Sequence, residues 1–399
     1  MSIDNLFMPD SGIKPSVQDD LWTIAESSNH AVTDMKFVFD VYVNNDLVIR
    51  SKTYPNPNTG YGYFNASQVV RNYMTLDYLA SSYSIVNSYP STSGGISIDY
   101  TLSVGEDVSG VTSLNQMSGT TTAYNWTPSV FKRQQDGEGI YQKNNNFVTN
   151  RTRAKAGLTD KFLFIPLHIN GGTYYEGVDI TVFTYGENNA QITSQTSSYD
   201  FNYNYVQLNI SPIAINGQWA SLIDSNVKFY KVRVRNSISP KATICEFYVD
   251  MVCNQKYESS QLHFINQYGM YDTAKFDLVK RLSLNVEKKM FQKNEYTFPT
   301  GSGEPVNYYS GFKYNESKVN YGSKIDHSYK LTMNYPSDSD YQWLAELITS
   351  PLVYFEEEGY WYPVIIKETN YEYSEHIFNG LKVLEINIDL NQQRFGFRR

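Results

Sequence analysis

Cysteine is nearly missing: the 399 residues include two, Cys245 and Cys253. Both fall within 243–254, which reads as one continuous strand. Eight residues of straight strand span about 26 Å, and a disulfide tolerates Cα atoms only about 7 Å apart. A bridge between the two is therefore excluded while that strand runs straight, and stability has to come from burial or assembly. Histidine is scarce as well, at five. His30, His168, His263, His327 and His376 lie at no metal-ligand spacing, and neither cysteine has a C-x-x-C partner, so a zinc signature is missing. Long apolar runs are missing too, since no stretch approaches the ~18 residues of a membrane helix. The start, Met1-Ser2-Ile3-Asp4-Asn5, has neither a basic region nor an apolar core, which predicts no secretory leader and a chain that is made soluble and stays soluble.

Basic charge is in deficit. A net charge of −8 and a pI near 5.3 argue against a general nucleic-acid binder, which needs a basic footprint. Arg151, Arg153 and Lys155 form one local basic group and Arg394, Arg398 and Arg399 another, and both read as solvated or interface charge. Chemistry-bearing motifs are also lacking. The glycines of Gly60-Tyr61-Gly62 have no Gly-Lys-Ser/Thr behind them, and Gly301-Ser302-Gly303 is too tightly spaced for a nucleophile elbow. Glu356-Glu357-Glu358 beside Gly359 reads as a charged turn. Asp338 and Asp340 fall in the first turn of an expected helix, where negative charge suits the dipole. Asp99 and Glu106-Asp107 lie near loops with no assignable role, and His263 reads as a packed or interface histidine. The sequence thus predicts no catalytic, cofactor-binding or metal residues and no cofactor, hence a protein that is not an enzyme. A carboxylate pair brought together by folding is beyond a single sequence.

Aromatic residues are what the chain has in quantity: 15% of it, 35 of them tyrosine. Tyrosine favours strands and interfaces alike, because its ring buries area while its hydroxyl keeps a hydrogen bond. Tyr61-Gly62-Tyr63-Phe64 and Tyr360-Trp361-Tyr362 flank turns and could also form platforms for sugars.

The periodicity predicts a mainly β chain of two β-sandwich-like domains followed by a C-terminal β domain with one packed α-helix. Residues 1–30 read as an extended arm, with a short helix around 20–27. Residues 31–135 read as the first sandwich. It opens on the alternating strand Lys36–Val43, the Asn44-Asn45-Asp46 turn and a returning strand over 47–54. A helix capped at Asn65 or Ser67 is expected to run to about Ala80, and a strand covers 96–104. Residues 136–255 form the second β domain. They comprise a long polar loop over 136–159, strands over 161–169, 173–185, 201–210, 228–236 and 243–254, and a Ser/Thr/Gln linker at 191–200. Residues 256–399 form the third. Its helix spans 337–349, capped by Ser337, with Tyr341, Leu344, Ala345 and Ile348 as its apolar stripe. Strands over 352–356, 361–369 and 381–390 close the chain.

Three stretches carry a family resemblance. The first is Phe37–Asn44 with Pro55-Asn56-Pro57 and Gly62-Tyr63-Phe64-Asn65. The second is Phe264-Ile265-Asn266-Gln267-Tyr268-Gly269-Met270-Tyr271-Asp272-Thr273. The third is Trp343–Tyr354, followed by Tyr362-Pro363-Val364-Ile365-Ile366. Together they cover about a tenth of the chain, and it resembles the tail or neck structural proteins of phages infecting Bacteroidetes, including the crAss-like phages. The chain departs from that pattern at Met270-Tyr271, where a smaller or more polar pair is expected, and in residues 1–30. The resemblance implies a virion tail component, a subunit of a ring or hub built from many copies. Its partners would be other copies of itself and neighbouring tail proteins, with no nucleic acid and no membrane span. The alternative reading is a receptor-binding adhesin whose Tyr and Trp platforms hold a host-surface glycan.

Overall fold

The computed structural model describes residues 3–7, 13–15, 21–74, 84–88, 97–117, 121–124, 146–147, 149–151, 153–168, 175–201, 205–236, 243–252, 259–292, 296–297, 308–309, 318–335, 338–357, 359–367, 382–390 and 394–395. The chain is mainly β, in several sheets. It divides into two compact units. The first comprises Met1–Lys256, His263–Lys275 and Ser337–Pro351, and the second Tyr257–Leu262, Phe276–Pro336 and Leu352–Arg399. These units cut the chain differently from the four consecutive segments expected above.

The N-terminal strands are β1 (Ile3–Phe7), β2 (Ile13–Pro15) and β3 (Trp22–Ser27). A short helix was the expectation at 20–27, and β3 stands there instead. Thr23, Ala25 and Ser27 are fully buried at every second position, and β3 pairs with β1 on one edge. Small residues inward at period two make a strand; the exposed Trp22 hides that pattern from a hydrophobicity reading. β4 (Lys36–Val43) and β5 (Asp46–Thr53) form the expected hairpin. Asn44 and Asn45 turn it at φ 52° and 69°, the left-handed pair that a type I′ turn requires. β6 (Gly62–Asn65) pairs with the other edge of β3, and its Gly62 is obligatory, since a Cβ there would lie 2.4 Å from the Phe37 ring. The helix α1 (Ser67–Arg71) is shorter than expected: neither Asn65 nor Ser67 is its cap residue, and it ends at Asn72. The Tyr73 and Met74 amides close tight turns onto Val70 and Arg71, so the expected run to Ala80 is already broken at 72–74; residues 75–80 lie outside the described residues. Next come β7 (Val86–Ser88), β8 (Ser97–Val108), β9 (Val111–Met117) and β10 (Thr121–Tyr124). One sheet has the order β1-β3-β6 and the other β2-β10-β8-β4-β5, with β9 on β8. Ile3, Ala25, Met35, Phe37, Phe39 and Val104 make their common core, where Phe64 stacks on Phe39 at 5.2 Å.

The second sandwich uses β11 (Asn146–Phe147), β12 (Arg153–Ala156), β13 (Phe164–His168), β14 (Tyr175–Tyr185), β15 (Gln191–Phe201) and β16 (Tyr205–Asn209). After the helix α2 (Pro212–Gln218) it adds β17 (Phe229–Asn236) and β18 (Thr243–Met251). The orders are β11-β13-β16-β7 and β12-β18-β17-β14-β15. Leu167, Val206 and Leu208 of one sheet share a core with Ile180, Val182, Val232 and Val249 of the other. β7, from within the expected first domain, completes this sandwich.

Two loop expectations are corrected here. Residues 153–156 of the expected 136–159 loop form β12, parallel to β18, with Ala154 and Ala156 buried; alanine carries almost no strand signal. The expected 191–200 linker is β15, an edge strand zipped along β14. Its polar side chains bond across the ladder, Thr181 to Thr196 at 2.9 Å and Ser198 to Asp179 at 2.6 Å. α2 had a signal that the pattern reading passed over. Ser211 caps it by accepting from the Ala214 amide at 3.2 Å, and Pro212 opens it. Cys245 is buried as a free thiol, its pKa raised by burial, and Cys253 lies outside the described residues.

β19 (Ser260–Ile265) and β20 (Tyr271–Phe276) flank a tight turn in which the Asn266 side chain accepts from the amides of Tyr268 and Met270. Then follow β21 (Val279–Gln292), β22 (Tyr296–Thr297), β23 (Tyr308–Tyr309), β24 (Lys318–Tyr335) and the helix α3 (Asp338–Thr349). β25 (Val353–Glu357), β26 (Tyr360–Ile366), β27 (Lys382–Leu390) and β28 (Arg394–Phe395) end the chain. In the second unit the order is β25-β26-β27-β24-β21, with β28 also on β24.

The helix α3 belongs to the first unit. Its buried face is Asp340, Trp343, Leu344 and Leu347, while Ala345 and Ile348 are half-buried. The stripe is thus turned from the expected one toward Trp343, the largest apolar group available. Ser337 and the Tyr341 side chain lie outside the described residues.

Candidate interaction surface

Of the carboxylates and histidines singled out by sequence, those with described partners do structural work. Buried Glu106 accepts from Ser27 and, at 3.0 Å, from Asn29. Asp107 takes Lys52, Thr112 and the Gly110 amide, and the Lys52 ammonium holds its carboxyl below the usual range. Asp99 also has partners. Glu357 pairs with Lys280, and Glu356 accepts from the Gly359 amide at 2.8 Å; Glu358 lies outside the described residues. Asp340 is buried on α3, and the Asp338 side chain is undescribed. His30 meets the Ser27 carbonyl at 2.7 Å. Gly301-Ser302-Gly303, His376, Arg398 and Arg399 lie outside the described residues. Among the described residues no three His, Cys, Asp or Glu side chains converge on a metal position, and no helix is long and apolar enough to cross a membrane.

Sequence reasoning missed a largely buried polar cluster in the first unit, in which Arg151, read from sequence as solvated or interface charge, is half-buried within its own unit. The Arg151 guanidinium lies 4.3 Å from the centre of a Trp343 ring and donates to the Thr273 carbonyl at 2.6 Å. Burial brings its pKa down to about 10, against the pull of Asp272 and Asp340. Trp343 Nε1 donates to Asp272 at 2.9 Å, and the same carboxylate accepts from Thr149 at 2.7 Å and Asn266 at 3.3 Å. Burial raises the Asp272 pKa, and those bonds and Arg151 oppose the rise. Glu346 holds Asn150 and the Gln267 amide, while Gln207 binds both the amide and the carbonyl of Tyr271. Lys275 pairs with Asp160 at 2.7 Å, with 3% and 5% of their side chains exposed. Within the first unit, parts of two quoted stretches, 264–272 and 343–350, therefore pack on each other, with Phe264 against Trp343 at 5.5 Å and the Ile265 amide on Ser350. Their residue pattern is the pattern of a packing contact.

His263 lies inside this packing. Its Nδ1 meets Thr273 Oγ1 at 2.9 Å, and its ring stands edge-on to Phe162 and Phe164. Burial lowers its pKa from 6.5 to about 3. The unfolded chain then takes up a proton below about pH 6.5 that the folded chain refuses. Stability is therefore expected to fall as pH drops through that window, by up to about 1.4 kcal/mol per pH unit. Urea unfolding of wild type and His263→Gln at stepped pH checks this; a variant with an unchanged slope above the carboxylate range contradicts it.

Of the aromatic platforms, Phe64 is core and Tyr63 bonds Thr59 at 3.2 Å. Tyr360 is 67% exposed, and Trp361 leans on Tyr354 at 6.0 Å.

The larger open surface belongs to the second unit. β21 is exposed along all 14 of its residues and among the described residues has one strand neighbour, β24. Leu282, Leu284 and Val286 stand opposite Tyr329, His327 and Ile325. By strand alternation they share a face with Leu331, Ile386 and Ile388, which are fully buried. The face that makes the core of this unit thus continues into solvent, with Leu282, Leu284 and Val286 at 53%, 56% and 49% exposure. Phe291 and Tyr321 add a ring pair at 6.1 Å farther along.

No family model matches the chain, and no curated protein does. Among solved structures it is similar to a glycosyl hydrolase family 2 member from Bacteroides cellulosilyticus, at 10% identity and a TM-score of 0.15. The match covers 63% of this chain and 28% of that one, and at this level of likeness no function follows from it.

Proposed function

We propose that this chain is a virion structural protein, a subunit of a phage tail or neck ring or hub, that works by protein–protein assembly and not by catalysis. The observation that carries this reading is the open apolar face of β21 and β24. Monomeric proteins seldom leave such a ribbon in water, and long exposed edges are normally blunted or covered. The resemblance of the three sequence stretches to tail and neck proteins points the same way. Among the described carboxylates, Asp107 and Glu357 are held in ion pairs and Glu106 and Glu356 in hydrogen bonds, as in a structural framework. Purified protein is expected to form closed rings or discrete oligomers in negative stain, and antibodies against it to decorate the tail or neck of particles. Its absence from purified particles overturns the role.

A second reading rests on Tyr360, exposed at the β25–β26 turn beside Trp361: a platform on which a host-surface glycan stacks. A glycan array with specific binding that Trp361→Ala abolishes would favour it.

A further inference from the structure

We infer that β21 is the seam at which two copies of this chain join, edge to edge and antiparallel about a two-fold axis through Leu284. The inference rests on the assembly reading above and names the surface of its two-copy step; a two-fold contact closes at two, so a ring would add a second, head-to-tail contact elsewhere on the chain. An edge strand offers unpaired backbone groups to another strand, and a two-fold contact must be self-complementary. Sheet continuity requires like faces to meet, so only registers that keep Leu282, Leu284 and Val286 on one side of both copies qualify.

The charges then choose among those registers. With the axis through Leu284, Arg281 of each copy stands opposite Glu287 of the other, and the two ion pairs flank the axis on the face opposite the leucines. On the apolar face Leu284 meets its own equivalent, and Leu282 meets Val286. Lys280 falls opposite Lys288, but Lys280 is already neutralised by Glu357 within its own copy. Moving the axis to Asn285 sets Arg281 against Lys289, and moving it to Glu287 sets that carboxylate against itself. An axis through Lys288 regains opposite pairs, Glu287 with Lys289, only by placing Lys288 against its own copy. Axes through Leu282, Ser283 or Val286 bring no like charges together but form no ion pair either, so the register through Leu284 is the one that gains opposite charges without setting an unneutralised cation against itself.

Cross-linking and charge exchange test it. In a Cys253→Ser background, Leu284→Cys is expected to give a disulfide-linked dimer on mild oxidation. Residues directly opposite in an antiparallel pair lie within disulfide reach. Leu282→Cys, displaced from the axis, is expected to stay uncrosslinked. Arg281→Glu alone is expected to weaken self-association about tenfold or more in sedimentation, since two pairs turn repulsive at once, and Arg281→Glu with Glu287→Arg to restore it. Oligomers that ignore Arg281→Glu and give no Leu284 cross-link overturn the seam while leaving the assembly role intact. A chain that stays monomeric at every concentration yet is found in particles also overturns the seam, and one missing from particles overturns the role itself.

Discussion

Trp343→Ala is expected to lower the unfolding free energy by about 3–5 kcal/mol, the range for deleting a buried large aromatic group. Three losses coincide. The side chain is among the largest that are fully buried, its Nε1 leaves Asp272, and its ring leaves Arg151 and Phe264. Asp272 would then be a buried carboxylate short of a donor, beside a guanidinium that has lost its apolar support. Trp343→Phe separates these effects. It keeps most of the buried area but drops the hydrogen bond, so its cost is expected at about 1–3 kcal/mol. Chemical denaturation of the two variants against wild type decides the matter. Equal stability of wild type and Trp343→Ala would remove α3 from the core of the first unit.

The second large effect is expected at the Lys275–Asp160 pair. Both side chains are withdrawn from water, so removing one partner leaves a charge whose hydration was given up. Lys275→Ala is expected to cost about 3–5 kcal/mol. Replacing both, as Lys275→Met with Asp160→Leu, removes the stranded charge and is expected to recover most of that loss. Recovery stays incomplete because the Gly157 amide, which donates to Asp160 at 2.8 Å, loses its acceptor. A double variant as unstable as the single would show that the pair does more than cancel its own burial.

Much of the strand layout could be read from the chain, and the exceptions have a common cause. Lys36–Val43 was legible because its apolar positions are large and alternate strictly. β12 and β3 were not, because their inward residues are alanine, threonine and serine, which bury little area each. β15 was hidden for the opposite reason: as an edge strand its stability comes from hydroxyl and backbone bonding along β14, which composition reports as a linker. The polar cluster was invisible because Thr149, Arg151, Gln207, Asp272 and Trp343 come from distant parts of the sequence. Isolated in the chain, Arg151 looks like any solvated arginine. The alternation that marks β21 as a strand stops at Val286, because Glu287-Lys288-Lys289 breaks an apolar pattern that the ladder to β24 does not need.

The first unit is stitched from three separated runs of chain, the last of them ending at Pro351. A ribosome that has delivered the first 256 residues has made both sandwiches but neither Trp343 nor Asp272, the groups that enclose Arg151. Vectorial synthesis, which lets many multidomain proteins settle one module at a time, therefore leaves this one with both sandwich cores made and the polar cluster around Arg151 still open. Closure of that cluster waits for the helix to emerge, and truncation before it is expected to leave the segments around Arg151 and Asp272 open to proteases.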